Sequence, residues 1–284
     1  MRLYHCDSSR TALTQCYNLA SIMRTFTISL GQMTPQLGQP KANLAQLREW
    51  AAEAAQRGSQ LVLFPELWST GGDLPNWERH AAPLRGGLFA KLADLAAELG
   101  LAIGGSILER RNGRAYNTFA LFGANGEQLA VYRKLHLFAL MQEDKWLARG
   151  DTPTLLDAPW GRTGLAICYD LRFGELFRHY ALAGAELTLL PAMWPAARSE
   201  HWNILLRARA IENQMFVAAV NVTGRIGSET FGGGSMVIDP WGKAVLTADD
   251  QPALLTAGLD MDVVTATREK MPVLTDLRPS AYSL

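Results

Sequence analysis

Two short runs constrain this 284-residue chain more than any other feature. Leu61-Val62-Leu63-Phe64 and Leu187-Thr188-Leu189-Leu190 are almost wholly apolar, and a proline follows each, Pro65 and Pro191. A strand with one wet face alternates in polarity. A short run without a polar side must be covered on both faces, as in the middle of a sheet held between two layers. Proline brings no N–H to the ladder and is expected to end each strand. The composition can supply such layers. At 48% hydrophobic and 19% charged residues, the chain has the apolar content for a large core and too much of it for disorder.

The two runs occupy matching places in two similar halves. Thr25 to Leu30 alternates as a strand. Pro40 opens a helix with Leu44, Leu47, Ala51 and Ala54 on one face, ending at Gly58. After Leu61–Phe64 come a helix over Leu88–Leu99 and strands over Leu101–Leu108 and Tyr116–Phe122. Asn125-Gly126 is a hairpin turn, with a return strand over Glu127–Lys134. A less regular stretch, 135–159, leads to a strand over Gly164–Cys168, a helix over Leu176–Ala183 and the second apolar strand. Ser199–Gln214 is the longest helix. Strands follow over Phe216–Val222, from Gly232-Gly233-Gly234 to Ile238, over Ala244–Thr247 and over Ala253–Leu259, then a short helix within 262–271. No linker divides the halves. The expected fold is α/β: a four-layer αββα sandwich, two mixed β-sheets face to face with helices outside.

Several function classes are excluded early. Lys+Arg and Asp+Glu are both 27, without the basic excess of a general nucleic-acid or membrane-surface binder. No stretch reaches the roughly 18 apolar residues of a membrane span. Residues 1–22 hold no run long enough for a signal-peptide core, and Met23 begins a natural start. We expect 1–22 to be an N-terminal extension, disordered or non-native, and 23–284 to form a single domain with a C-terminal tail. The three cysteines, Cys6, Cys16 and Cys168, make neither a disulfide framework nor a zinc site, which points to the reducing cytoplasm. P-loop, dinucleotide, H-E-x-x-H and G-x-S-x-G motifs are absent.

What remains is a set of polar residues at strand ends, where a rigid scaffold presents reactive groups. Glu66 follows Pro65, Lys134 ends the strand VYRK, and Cys168 ends the strand GLAIC. Each has an ordinary role open to it: a surface carboxylate, an edge-strand charge, a small buried hydrophobe. Together they form an acyl-transfer set. A thiol needs a base to take its proton, and Glu66 can supply one. Lys134 can stabilise a thiolate and then the oxyanion formed on a carbonyl. Protonated Glu66 can release an amine and then activate water.

In these three segments the chain resembles the nitrilase superfamily of carbon–nitrogen hydrolases, over about residues 23–262. LVLFPELWSTGG is similar to the family's glutamate segment, YRKLHLF to its lysine segment and GLAICYDLRFGELFR to its nucleophile segment, in the family's order. The resemblance implies Glu66 as general base, Lys134 and the Tyr169 N–H as oxyanion hole, Cys168 as nucleophile, the αββα fold and no cofactor or metal. It also implies a second glutamate past the lysine segment. MQEDKWLARGD offers Glu143, with Asp144 as the competing residue and Arg149-Gly150-Asp151 in place of the family's proline form.

Tyr169-Asp170 after the cysteine resembles the amidase branches, whereas true nitrilases carry Trp-Glu. The segment 193–221 looks most like bacterial omega-amidases, which act on 2-oxo dicarboxylic acid monoamides. Trp194 and Pro195 either line the pocket or pack. Arg172 either holds a substrate carboxylate or pairs with Glu175 or Asp170, and His201 and Trp202 read as structural. The resemblance implies a small-molecule amide substrate and a homodimer or higher homo-oligomer, while the charge balance and hydropathy above leave no nucleic-acid or membrane partner. The apolar stripe Ile204, Leu205, Ala208 and Ile211 either meets the partner or covers its own sheet. The alternatives are an N-carbamoyl amine hydrolase of the same superfamily and a non-catalytic binding protein on the same fold. A papain-like thiol hydrolase lacks a histidine in a recognisable motif with Cys168.

Overall fold

A computed structural model describes residues 24–281; the expected extension 1–22 lies outside the described residues, as do 23 and 282–284. Fourteen strands are present among them: β1 Thr25–Gln32, β2 Leu61–Leu63, β3 Ala102–Arg111, β4 Arg114–Phe122, β5 Gln128–Arg133, β6 Thr154–Ala158, β7 Gly161–Leu165, β8 Leu187–Ala192, β9 Phe216–Asn221, β10 Thr223–Ile226, β11 Glu229–Gly232, β12 Met236–Ile238, β13 Ala244–Thr247 and β14 Ala253–Asp260. The helices are α1 Pro40–Gln56, α2 Trp77–His80, α3 Gly87–Leu99, α4 Glu143–Trp146, α5 Gly174–Leu182, α6 Ser199–Asn213 and α7 Asp262–Lys270.

Two six-stranded mixed sheets, ordered β14-β1-β2-β3-β4-β5 and β13-β12-β9-β8-β7-β6, form the αββα sandwich. The apolar runs lie where their lack of a polar face requires. Leu61 and Leu63 point into the core between the sheets with Phe26, Ile28, Leu187 and Leu189. Val62 and Phe64 point the other way, under Leu47 and Ala51 of α1 and Phe89 and Leu92 of α3. Each fully buried side chain of this size contributes about 1.5–3 kcal/mol of transfer free energy. The second sheet is covered by α5 and α6. Gly164 has no Cβ because one would sit 2.5 Å from the Tyr180 ring, and the Tyr180 hydroxyl donates to the Leu165 carbonyl at 2.6 Å.

Several details depart from the sequence reading, and β6 and α4 lie in the stretch 135–159 read as less regular. β8 runs through Pro191 to Ala192, whereas Pro65 does end its strand. Pro191 keeps its place because its nitrogen faces the side where β7 has already ended, so no ladder donor is required of it. β7 stops at Leu165, so Cys168 opens a turn of 3-10 helix, Cys168–Arg172, instead of ending a strand. Lys134 lies one residue past β5. The hairpin β10–β11 was not expected, and Gly232 ends β11 instead of starting β12. Gly233, at φ +60°, passes so close to the Asp249 carbonyl and the Gln32 amide that a Cβ would lie 2.6 Å from each.

Candidate active site

The ends of β2, β5 and β7 converge because of strand direction. β5 is antiparallel to β4 and β4 to β3, so β5 runs the same way as the parallel pair β2 and β3. Lys134 after β5 therefore leaves the sheet at the same edge as Glu66 after β2. The second sheet brings the parallel ends of β7 and β8 to the same place. Open α/β sheets bind ligands at such carboxyl ends.

Glu66 and Lys134 are each 1% exposed. The Lys134 ammonium donates to Glu66 Oε1 and to Glu143 Oε1, both at 2.7 Å. Glu66 Oε1 also accepts from the Asn117 amide at 2.7 Å, and Oε2 from the Met193 N–H at 2.8 Å. The carboxylate thus spans the two sheets in one fixed orientation. The second oxygen of Glu143 is taken by the Phe138 N–H at 2.8 Å. Asp144 is exposed, so Glu143 is the carboxylate that contacts Lys134.

Burial pulls the Lys134 ammonium down, but the charges of Glu143 and Glu66 outweigh it and hold the group well above its usual value. Burial pushes the Cys168 thiol well up, and the Glu66 charge adds to this against the opposing pull of Lys134. This direction favours the protonated thiol, and Cys168 and Glu66 line the same cavity.

Cys168 is held at φ +46°, a region costly for a residue with a Cβ. Asp170 secures this turn. Fully buried, it accepts from the Ile167 N–H at 2.8 Å, the Tyr132 hydroxyl at 2.7 Å, the His136 N–H at 3.1 Å and His136 Nδ1 at 2.7 Å. The lysine segment is thereby fastened to the cysteine turn. The Tyr169 N–H has no hydrogen-bond partner among the described residues.

Cys168 opens on a cavity of about 280 Å³ that Glu66, Glu143, Met193 and Phe231 also line, and on a narrow recess bounded by Phe138, Tyr169, Arg172, Trp194, Pro195 and Arg198. Trp194 and Pro195 thus border the recess while being buried. Arg172 pairs with neither Glu175 nor Asp170. It lies 4.7 Å from the Trp194 ring centre, and its Nη2 is 3.3 Å from His201 Nδ1. Trp202 is buried and donates to the Gly234 carbonyl. Sequence reasoning missed Asn117, the Asp170–His136–Tyr132 cluster, Arg198 and Asn221, whose side chain accepts from the Trp194 N–H at 2.7 Å. Asp170 lies inside the nucleophile segment, Tyr132 and His136 inside the lysine segment, and Arg198 and Asn221 inside 193–221; Asn117 lies outside all three. Among the described residues no group of three or more His, Cys, Asp or Glu side chains is placed to hold a metal ion.

A fold of two mixed sheets between helices, with glutamate, lysine and cysteine meeting at their carboxyl ends, defines a hydrolase class, and residues 27–269 match it: the chain belongs to the carbon–nitrogen hydrolase family. It is 35% identical over 258 residues to the 2-oxoglutaramate amidase of Bacillus subtilis, covering 90% of this chain and 99% of that one. The human omega-amidase NIT2 is 33% identical over 273 residues, covering 92% and 98%. Among solved structures, a CN-hydrolase superfamily protein of Xanthomonas campestris with an arsenic adduct in its active site superposes with a TM-score of 0.81 at 29% identity, covering 89% and 97%. A mutant amidase of Nesterenkonia sp., with acrylamide added to its active-site cysteine, gives 0.77 at 29% identity, covering 87% and 98%.

Proposed function

We propose that this chain is an amidase that releases ammonia from small linear amides bearing a carboxylate, with 2-oxo dicarboxylic acid monoamides such as 2-oxoglutaramate as best substrates. The observation that carries the reading is the buried contact of Lys134 with Glu66 beside the Cys168 thiol. Relatives named as 2-oxoglutaramate amidase and omega-amidase, and a neighbour with acrylamide on its active-site cysteine, support it.

In this mechanism Glu66 takes the thiol proton as Cys168 Sγ attacks the amide carbon. Lys134 and the Tyr169 N–H hold the oxygen as it becomes an oxyanion. Glu66 passes its proton to nitrogen, the C–N bond breaks, and ammonia leaves a thioester on Cys168. Water gives a proton to Glu66 and attacks the thioester. The acid departs, and the sulfur recovers its proton from Glu66. Glu143 positions Lys134 throughout. Arg172, bordered by Trp194 and Pro195, receives the carboxylate. The test compares kcat/KM for an amide and a nitrile with the same carbon skeleton. We expect the amide to be preferred strongly, because the Lys134 and Tyr169 donors meet the oxygen on which charge develops in the first addition, and a nitrile has no oxygen there; a higher value on the nitrile would overturn the reading.

The family match over 27–269 supports taking 23–284 as one hydrolase domain, with 1–22 as an extension outside it. A free thiol nucleophile suits the reducing cytoplasm, and no described helix is long and apolar enough to cross a membrane. We read the protein as a homodimer. On α6, Trp202, Leu206 and Ala210 face the sheet, while Ile204 is 57% and Ile211 51% exposed. The stripe therefore does not simply cover its own sheet, and a second copy packed on α6 would bury it. Light scattering at micromolar concentration is expected to give at least twice the 31.2 kDa chain mass. A monomer mass would count against this assembly.

A further inference from the structure

We propose that Arg198 is a specificity-determining residue, acting with Arg172 as a pair of guanidinium groups that selects a carboxylate next to a neutral 2-oxo group and rejects a carboxylate next to an ammonium. The inference rests on the amidase reading above and adds a residue that the sequence did not single out.

The two cavities that meet at Cys168 differ in charge. The larger one has Glu66, Asp73, Glu143 and Glu229 on its wall and no basic side chain. The narrow recess has Arg172 and Arg198 and no acidic one. Each guanidinium is braced on aromatic rings. Arg172 Cζ lies 4.7 Å from the Trp194 ring centre and 5.9 Å from that of Tyr169, and Arg198 Cζ lies 5.4 Å from that of Phe138. The Arg198 backbone is tied to the same wall, because the Trp194 indole N–H donates to the Arg198 carbonyl at 2.8 Å.

Both side chains are half-buried, yet among the described residues no carboxylate lies within 4 Å of either guanidinium. The Arg198 side chain donates no hydrogen bond to any described residue, and Arg172 reaches only His201. Ring contacts use the face of a guanidinium and leave its in-plane N–H groups free to bind an anion. Two neighbouring cations without a counter-ion repel, and an arriving carboxylate removes that repulsion while accepting charge-assisted hydrogen bonds. The recess is narrow, so it receives the end of a substrate while the carbon chain lies toward the larger cavity. An ammonium beside the carboxylate would face the same two cations. A 2-oxo oxygen in its place is neutral and accepts hydrogen bonds. The geometry therefore favours the monoamide of a 2-oxo diacid over the corresponding amino-acid amide.

The test measures kcat and KM for 2-oxoglutaramate, L-glutamine and neutral pentanamide with wild-type enzyme, Arg198→Met and Arg198→Lys, together with competitive inhibition by 2-oxoglutarate. In Arg198→Met the KM for 2-oxoglutaramate is expected to rise about tenfold or more, with a much smaller change in kcat, as loss of a charge-assisted contact made equally in ground and transition states requires. The preference for 2-oxoglutaramate over both L-glutamine and pentanamide should shrink by a similar factor. Inhibition by 2-oxoglutarate should weaken in step, and Arg198→Lys should recover part of each effect. A substrate preference and an inhibition constant that survive Arg198→Met overturn this inference alone. So does an equal loss on all three amides, which would mark Arg198 as structural. A wild-type enzyme that does not prefer the carboxylate-bearing amide overturns both this inference and the substrate reading beneath it.

Discussion

Cys168→Ala is expected to abolish ammonia release while leaving a cooperatively folded protein. The thiol forms the covalent bond in the mechanism, and no other described cysteine can replace it. The structural loss is one sulfur from a turn that Asp170 and its four donors hold from outside. Alanine keeps the Cβ and the left-handed backbone, so neither turn nor core is rebuilt. The measurement is turnover on the best amide substrate, with circular dichroism melting as control. Mass spectrometry of wild-type enzyme trapped with a slow amide or ester should place the acyl group on the peptide containing Cys168. An adduct on Cys6 or Cys16, or residual turnover in the folded alanine variant, would remove Cys168 as nucleophile.

Glu66→Gln and Lys134→Gln are expected to lower kcat by roughly 10²-fold or more, the scale of losing an acid–base group or an oxyanion donor. Their effects on stability should differ, which separates chemistry from architecture. Lys134 sits between two buried carboxylates, each 2.7 Å away. Removing it strands them, at a cost of about 3–5 kcal/mol for breaking a buried pair from one side. Adding Glu143→Gln should restore much of the melting temperature and none of the rate.

The deficit in Lys134→Gln should also depend on pH with a definite sign. Burial and the Glu66 charge push the Glu143 carboxyl up, and Lys134 is what pulls it down. Without Lys134 the folded state holds that proton more tightly than the unfolded chain does. The deficit should then be smallest at acid pH, below the ordinary glutamate range, and grow as pH rises above about 4.3. Unchanged kcat in either single variant would show that its residue is only structural.

Much of this arrangement was legible in the chain, for local reasons. The apolar runs 61–64 and 187–190 had to be covered on both faces, and that alone implied a layered sandwich. Glu66, Lys134 and Cys168 stand in segments whose residues carry their own signature, and each side chain leaves the sheet within a few residues of a strand end. Strand boundaries were less legible. Pro191 sits inside β8 because its nitrogen faces the side where β7 has already ended, and no ladder donor is needed there. Cys168 lies past its strand because Asp170 bends the chain at Ile167 by hydrogen bonds that no periodicity encodes.

The contacts that join distant parts of the chain could not be read from it at all. Asn117 reads as one polar residue in a strand until β2, β3 and β4 pair and lay its amide against Glu66. Arg198 reads as a surface charge ahead of a helix until β8 and the 3-10 turn 196–198 carry it to the recess beside Cys168. The choice between Glu143 and Asp144 depended on which way a four-residue helix faced. Local patterns of polarity are written in neighbouring residues. Which side chains meet across two sheets depends on strand direction, register and packing, and these exist only once the layers have closed.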